Sequence, residues 1–282
     1  MTGNPSVGLA LSGGGARGLA HIGVLKVLER EEITPAFLAG TSMGGMLSAA
    51  SAAGMSAADI EEETLRITSP RQMARLLDPQ PLRRGLLAGD KVTGYLRELF
   101  GERTFADTIC PLALVAVDLN NNSQVVFREG ALVDAVRATV SVPGVFAPID
   151  TGERLLVDGG VLNNLPNDVI RRMGAERVVA VDVHTPSHRG ALTRMSQRRF
   201  VPSGPVDTLD HVWRSLRLMA EEIQRLRLEL DPPDVFIRPE LGHEITMLTG
   251  FGRASEIIDA GEEAAERALP QIRACMTADC PD

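Results

Sequence analysis

The sequence has few cysteines and no excess of positive charge. Its three cysteines, Cys110, Cys275 and Cys280, form no C-x-x-C pair, so we expect neither a disulfide framework nor a zinc site. This usage fits a reducing compartment. Lys and Arg number 29 against 37 Asp and Glu, which gives a net charge of −8. Because that balance repels phosphate backbones, no nucleic-acid partner is expected.

The sequence also lacks a secretory signal and a strongly apolar run. Its N-terminus has neither the basic nor the apolar stretch of a signal peptide. Residues 33–58 carry no charge and are long enough to cross a bilayer, but Gly, Ala, Ser and Thr dominate them and Pro35 interrupts them. We therefore expect a buried strand, turn and helix there, in a cytoplasmic protein.

The composition, with 44% apolar and 23% charged residues, is typical of a globular protein, and we expect one domain over residues 1–282. Short apolar runs alternate with helical patterns, which predicts an α/β fold whose mainly parallel central sheet is covered by helices on both faces. The predicted strands are Val7–Leu11, Phe37–Ala39, Pro111–Asp118, Leu155–Val157, Arg177–Val183 and Val235–Ile237.

Apolar spacing predicts three of the helices. One is indicated by Leu19, Ile22, Leu25 and Leu28. An Ala-rich helix over Met43–Ala53 ends before a glycine suited to helix termination. The third is long and carries an apolar stripe opposite charged residues, and we expect the stripe to face the core. The stripe consists of Leu209, Val212, Leu216, Met219, Ile223, Leu226 and Leu230.

Two basic segments raise the question of contact with lipid. Residues 184–206 contain four Arg, three Pro and no acidic residue, and we expect a mobile loop or lid there. The other segment interleaves leucines with Arg71, Arg75, Arg83 and Arg84. An exposed connector is the plainer interpretation of that segment, and transient contact with the inner face of a membrane is the alternative.

A glycine-rich loop follows the first predicted strand and leads into a helix. Its backbone N–H groups and the helix start could together hold an anion; the loop consists of Gly13, Gly14, Gly15, Ala16, Arg17 and Gly18. A nucleotide site is disfavoured, because no acidic residue ends the second strand and no Gly-Lys-Ser/Thr follows the glycines. Taken alone, a tight turn without a ligand explains the loop equally well.

The second predicted strand is followed by a G-x-S-x-G pattern that begins at Gly40, contains Ser42 and ends at Gly44. A strand before the pattern and a helix after it are the context of a nucleophile elbow, where a strained turn exposes the serine hydroxyl. The two glycines let the strand and the helix approach closely. An ordinary helix-capping turn is the alternative for this segment by itself.

An acidic residue, Asp158, closes the fourth predicted strand and is followed by Gly159 and Gly160. A serine nucleophile needs a base, and none of the five histidines ends a predicted strand, although His184 and His188 of the basic segment stay open as alternatives. Burial that raised the pKa of Asp158 above about 3.9 would let it act as that base, whereas a turn or helix cap is the plain alternative. His184 and His188 are rejected as metal ligands because a proline separates them, and no metal site is expected.

Together, the segments GGGARG, GTSMG and DGG resemble the patatin-like phospholipase family, in particular its bacterial branch related to neuropathy target esterase. The resemblance extends to the blocks LALSGGGARGLAHIGVLKVLE, AGTSMGGMLSAASAAG, SVPGVFAPI and LVDGGVLNNLP. It implies a three-layer α/β/α sandwich whose motifs lie within about residues 7–170. Two positions depart from the family pattern: Thr139 stands where a serine is expected, and AVDL at 116–119 stands where Ala-Thr-Asp-Leu is expected.

The resemblance implies a serine hydrolase that cleaves acyl esters of lysophospholipids or phospholipids without a cofactor. Ser42 would be the nucleophile, Asp158 its base, and the N–H groups of the glycine loop the oxyanion hole. Arg17 would organise the loop, meet a lipid phosphate or form a salt bridge. An acyltransferase using the same acyl-enzyme and a non-catalytic lipid-sensing module are the alternatives, and the oligomeric state stays open. An aspartate base further predicts activity below the pH at which a histidine base is protonated.

Overall fold

A computed structural model describes residues 5–79, 85–184, 203–242, 244–245 and 250–277, with the backbone alone at 203–210 and 213. Its strands form one eight-stranded sheet. They are β1 (Val7–Leu11), β2 (Phe37–Thr41), β3 (Leu112–Asp118), β4 (Ser123–Phe127), β5 (Ile149–Asp150), β6 (Leu155–Asp158), β7 (Arg177–Val181) and β8 (Val235–Ile237).

The six predicted strands are all present, with ends that differ from the prediction by no more than two residues. Two strands were not predicted. β5 has only two residues, and β4 is short and no better than half-buried, so neither produces a distinct apolar run in the sequence.

The sheet is parallel at its centre and antiparallel at one side. β3, β2, β1, β7 and β8 lie side by side in parallel, which explains the unbroken apolar runs of these doubly covered strands. β4 and β6 pair with β3 in antiparallel fashion, and β5 pairs with β6 in the same way. The expectation of a mainly parallel sheet is therefore confirmed.

Helices cover both faces of this sheet. Leu9 and Leu11 of β1 pack in a large core together with Leu25 and Ile258, whereas the intervening Ala10 packs in a second core on the opposite face with Ile170. The three layers of the predicted α/β/α sandwich are thus present. The helices are α1 (Ala20–Arg30), α2 (Ser42–Ala52), α3 (Ala57–Ile67), α4 (Pro70–Leu76), α5 (Asp90–Phe100), α6 (Leu132–Thr139), α7 (Asn167–Met173), α8 (Ser203–Leu230) and α9 (Ala254–Cys275).

The prediction that the stripe of α8 faces the core is wrong. Five of its side chains are 45% to 86% exposed: Val212, Leu216, Met219, Leu226 and Leu230. The face of α8 that meets the protein body carries several polar side chains, together with Leu228, which packs against the second core. The surface beneath it presents His184, Asn164 and Asp168, which bind Glu221, Gln224 and Arg227 of the helix. Polar partners at this rim of the sheet therefore determine how the helix is rotated.

The predicted lid at 184–206 lies mostly outside the described residues, although its last four residues belong to α8. Arg83 and Arg84 of the other basic segment also lie outside them. No disulfide framework was expected, yet Cys275 is disulfide-bonded, while Cys110 is a free thiol. The cysteine argument for a reducing compartment therefore no longer holds. No helix in the described ranges is long and apolar enough to cross a membrane.

Candidate active site

The ends of β2 and β6 meet along one edge of β3. β4 and β6 both pair with Asp118, and β4 and β2 both pair with Val115. Because each strand edge holds one neighbour at a given residue, β4 occupies one edge of β3, and β2 and β6 share the other. The two strands run in opposite directions, so their C-terminal ends face each other. Thr41 lies opposite Val115 and Asp158 lies opposite the next residue of β3.

Ser42 occupies a strained turn at the start of α2. Its φ angle is +54°, in the left-handed region that a non-glycine residue rarely adopts. The turn is possible because strand and helix are very close: a methyl group on Gly44 would lie 2.4 Å from the carbonyl oxygen of Leu11, and one on Gly40 would lie 2.4 Å from that of Gly44. These are the contacts expected of a nucleophile elbow.

Asp158 lies beside Ser42 and is 5% exposed. The N–H of Gly160 donates to its Oδ1 at 2.7 Å, and the Ser42 hydroxyl lies close enough to the carboxylate to affect its ionisation. Burial raises the pKa of Asp158 from 3.8 to about 6, against the opposing effect of these two polar neighbours. The carboxyl is therefore able to gain and lose a proton near neutral pH.

The glycine loop lies next to both side chains. A methyl group on Gly13 would be 3.1 Å from Cβ of Ser42. The N–H of Gly13 donates to the carbonyl of Asn164 at 3.0 Å, and that of Arg17 to the carbonyl of Gly14 at 3.2 Å, so these two donors are already used. Within the described part of the chain, the N–H groups of Gly14 and Gly15 have no protein acceptor. Together with Ala16, whose N–H likewise has no acceptor in that part of the chain, they are the donors of the predicted oxyanion hole that stay available.

Arg17 is largely buried and anchors the loop. Its Nε donates to the carbonyl oxygen of Ile245 at 2.8 Å. Burial and the nearby guanidinium of Arg217 lower the pKa of Arg17. Of the three roles considered for this residue, the contact with Ile245 fits that of loop organiser.

Asn164 connects the glycine loop to α8, and the sequence interpretation assigned it no role. Its Nδ2 donates to the carbonyl of Gly13 at 3.3 Å and to Oε1 of Gln224 at 3.1 Å. The only signal in the sequence was its position shortly after the Asp-Gly-Gly segment. Gln224 gave no signal, because its role depends on how α8 lies against the body.

Thr139, noted above only as a departure from the family pattern, supports the elbow. The backbone N–H of Ser42 donates to its Oγ1 at 2.9 Å, and this hydroxyl in turn donates to the carbonyl of Val115. Two residues later, the carbonyl of Ser141 accepts the N–H of Asp158 at 2.9 Å. The end of α6 therefore holds the backbones of Ser42 and Asp158.

Replacing Thr139 with valine should lower kcat for an acyl ester by about tenfold or more with little change in KM. The variant leaves the buried N–H of Ser42 without its acceptor, which also costs about 1–3 kcal/mol of stability. Thr139→Ser keeps the hydroxyl and should restore kcat. Steady-state kinetics of the two variants test this role, and a wild-type kcat for Thr139→Val would contradict it.

None of the described histidines forms a hydrogen bond with Ser42 or Asp158. His21 is fully buried, with Nε2 2.8 Å from the carbonyl oxygen of Ser12, and burial lowers its pKa from 6.5 to about 4. His184 binds Glu221, and His211 is exposed on α8. His188 and His243 are outside the described residues. No group of three or more His, Cys, Asp or Glu side chains that could hold a metal ion occurs in the described ranges.

Comparison with known proteins agrees with this geometry. Residues 9–170 match the family model described as patatin-like phospholipase. The chain belongs to the patatin-like phospholipase family. The matched residues of this family member include Ser42, Asp158 and the whole glycine loop. The resemblance inferred from the motifs is confirmed.

A relative named as a protein of the NTE family places the chain near the branch related to neuropathy target esterase. It is 36% identical over 181 residues to an uncharacterized NTE family protein of Mycobacterium tuberculosis, covering 64% of this chain and 50% of the relative. It is 33% identical over 190 residues to patatin-like phospholipase domain-containing protein 6 of Mus musculus, covering 65% of this chain and 14% of the relative. The chain thus spans half or less of these relatives.

The fold is also similar to that of a solved structure, VipD from Legionella pneumophila. The TM-score is 0.50 at 14% sequence identity, and the match covers 95% of this chain and 67% of VipD. At this identity the similarity concerns the fold alone, and it supports the α/β assignment.

Proposed function

We propose that this patatin-like protein is a serine hydrolase that cleaves acyl esters of lipids, of the lysophospholipase or phospholipase A type. The observation that carries the proposal is the meeting of the strained Ser42 and the buried Asp158 at the facing ends of β2 and β6. A hydroxyl beside a carboxylate whose pKa is about 6 has a base able to accept its proton at neutral pH.

In the proposed reaction, Ser42 Oγ attacks the ester carbonyl carbon while its proton moves to Asp158. The oxygen of the tetrahedral intermediate, now negatively charged, accepts hydrogen bonds from the N–H groups of Gly14 and Gly15, each worth about 3 kcal/mol. Collapse of the intermediate expels the alcohol, which takes the proton from Asp158. Water then attacks the acyl-enzyme with Asp158 again as base, which releases the fatty acid and regenerates the Ser42 hydroxyl.

The raised pKa changes what pH dependence can reveal. Activity requires ionised Asp158 and should rise with pH through about 6, close to the ordinary histidine value of 6.5. The acidic limb of the pH–rate profile alone therefore separates an aspartate base from a histidine base less clearly than the sequence suggested. The temperature dependence of the midpoint of that limb separates the two bases, because carboxyl groups ionise with almost no heat whereas imidazolium ionises endothermically.

A fluorophosphonate probe tests the proposal directly. The probe should label the folded protein at Ser42, because only an activated serine beside an oxyanion hole reacts quickly with it. Labelling should disappear in Ser42→Ala and after thermal unfolding, and peptide mass mapping identifies the modified residue. Absence of labelling in the folded wild-type protein, or labelling of another serine, would contradict the proposal.

A further inference from the structure

The side of α8 that faces the protein body carries a basic residue close to the candidate active site. Glu221 and Gln224 lie on this side, since they bind His184 and Asn164 of the body at 2.8 and 3.1 Å. Arg217 precedes Glu221 by four residues and Gln224 by seven, which is the spacing of one side of a helix. Arg217 therefore lies on the inner side of α8, one turn before the contact with His184.

Two contacts connect this side of α8 to the glycine loop. Asn164, one of the residues that bind the helix, also donates to the carbonyl of Gly13 at 3.3 Å. The other, His184, follows Val183, whose Cγ2 would lie 2.4 Å from a methyl group on Gly14. The inner side of α8 therefore runs past the loop that holds the oxyanion donors.

A cavity with positive charge lies beside these contacts. Its volume is about 360 Å³, and Arg214, Arg217, His211 and Glu221 are among its lining residues. Of the described lining residues only Glu221 is acidic, and its carboxylate already binds His184. Within the described part of the chain, neither guanidinium has a hydrogen-bond or ion-pair partner. Two arginine side chains are thus available to an anion in this cavity.

A third guanidinium, that of Arg17, adds to this charge from the glycine loop. Arg17 is 8% exposed, and its Nε is fixed by the carbonyl oxygen of Ile245 at 2.8 Å. Burial and, to a smaller extent, the charge of Arg217 lower the pKa of Arg17, so the two guanidinium groups lie close enough to repel each other. An anion bound beside them would offset that repulsion.

We propose that Arg217 binds the phosphate group of the substrate and thereby selects lipid esters whose alcohol carries a phosphate over neutral esters. Guanidinium matches the oxygens of phosphate with two parallel hydrogen bonds, and the cavity is within the size range of ligand sites. Arg217 is a specificity residue in this inference, whereas Arg17 keeps its place as organiser of the loop.

The inference rests on the proposed function and names the substrate class for the same site. In a lysophospholipid the phosphate is joined through glycerol to the ester that Ser42 would attack. Arg217 lies about 10 Å along α8 from Gln224, the residue that reaches the glycine loop through Asn164. The long side chain of arginine and the glycerol phosphate together bridge a distance of this order.

Kinetics with a matched pair of esters test the selection. Lysophosphatidylglycerol and a monoacylglycerol with the same short acyl chain differ only in the phosphoglycerol group. The wild-type protein should have the larger kcat/KM for the first. Arg217→Gln should lower the ratio of the two kcat/KM values by about tenfold or more, mainly through KM, because the guanidinium binds a group remote from the reacting atoms. Arg217→Lys keeps the charge without the paired donors and should give an intermediate ratio.

Arg225→Gln is the matched control on the same helix. The guanidinium of Arg225 is exposed and already binds Glu222 and Glu229, so its replacement should leave the ratio at the wild-type value. Circular dichroism verifies that the variants fold. An unchanged ratio in Arg217→Gln would overturn the proposal. An equal fall in Arg225→Gln would also overturn it, because the selection would then come from net charge.

Calorimetry with Ser42→Ala separates this inference from the proposed function. The variant should bind lysophosphatidylglycerol without hydrolysing it, and the double variant with Arg217→Gln should bind it at least about tenfold more weakly. Inorganic phosphate should bind Ser42→Ala much more weakly than the lysolipid does. Equally strong binding would indicate a site for a free anion and would overturn the proposal, as would a double variant that binds like Ser42→Ala.

The two proposals fail in different ways. A wild-type protein that binds the lysolipid through Arg217 but cleaves no ester would refute the proposed function and leave the phosphate site intact. Hydrolysis of both esters with a ratio that does not depend on Arg217 would refute the phosphate site alone.

Discussion

Replacing Asp158 with asparagine is expected to abolish ester hydrolysis and, at pH 8, to stabilise the fold by up to about 3 kcal/mol. Turnover should fall by about three orders of magnitude or more, because the amide cannot accept the Ser42 proton. The amide can still accept the N–H of Gly160 and lie beside the Ser42 hydroxyl, so both polar neighbours of the carboxylate are kept.

The gain in stability follows from the raised pKa of Asp158. Because its pKa is about 6 in the folded state and 3.8 ordinarily, the folded protein binds more protons than the unfolded chain between these values. The contribution of this carboxyl to stability therefore decreases as pH rises through that window, and the loss is complete above it. Asp158→Asn does not suffer this loss of stability. The amount by which its free energy of unfolding exceeds that of the wild type should therefore be largest at pH 8 and approach zero near pH 4.

Urea unfolding of wild type and variant at both pH values measures the effect. Asp107→Asn is the matched control, since hydrogen bonds to Thr104 lower the pKa of this exposed carboxyl and its replacement should bring no gain at pH 8. It should also leave turnover unchanged. A stability difference that stays constant between pH 4 and pH 8 would show that burial does not raise the pKa of the carboxyl. Turnover retained by Asp158→Asn would show that the carboxyl is not the base.

Ser42→Ala should be as inactive as Asp158→Asn, but it should change the ionisation of Asp158 instead of removing it. Loss of the hydroxyl removes a polar neighbour that lowers the pKa of Asp158, so that pKa should rise above 6 in the variant. Infrared titration of the buried carboxyl would detect the shift. An unchanged pKa would mean that the Ser42 hydroxyl does not affect the carboxylate.

Replacing Gly44 with alanine is expected to destabilise the fold by about 3 kcal/mol or more and to abolish hydrolysis. The added methyl would meet the carbonyl oxygens of Leu11 and Ser12 at 2.4 and 2.5 Å. Both are backbone atoms, one in the last residue of β1 and the other in the residue after it, so α2 would have to move away from the sheet. Such a shift displaces Ser42 and the glycine loop together.

Gly94→Ala is the matched control for this prediction. Gly94 also lies inside a helix, but apart from its chain neighbours and the backbone of its own helix no atom lies within 4 Å of where its methyl would be. The control should stabilise the protein by about 0.5–1 kcal/mol through helix propensity. Thermal and urea unfolding compare the two variants, and a Gly44→Ala protein as stable as the wild type would mean that α2 and β1 are not in close contact.

Six of the eight strands and the three motifs are visible in the sequence itself. Doubly covered strands need unbroken apolar runs, and a serine elbow needs glycine on both sides, so these features are local and visible in the residues. They were sufficient to predict the α/β/α sandwich, the positions of Ser42 and Asp158, and the family to which the chain belongs.

The tertiary structure alone decided how those pieces act on one another. Opposed strand ends on β3 bring Ser42 to Asp158, and the burial that results raises the pKa of the carboxyl to about 6. Strand direction and desolvation depend on residues far apart in the chain, which local patterns do not encode. For the same reason the periodicity of α8 revealed an apolar stripe but not its orientation, because polar partners on the surface beneath turn that stripe outward.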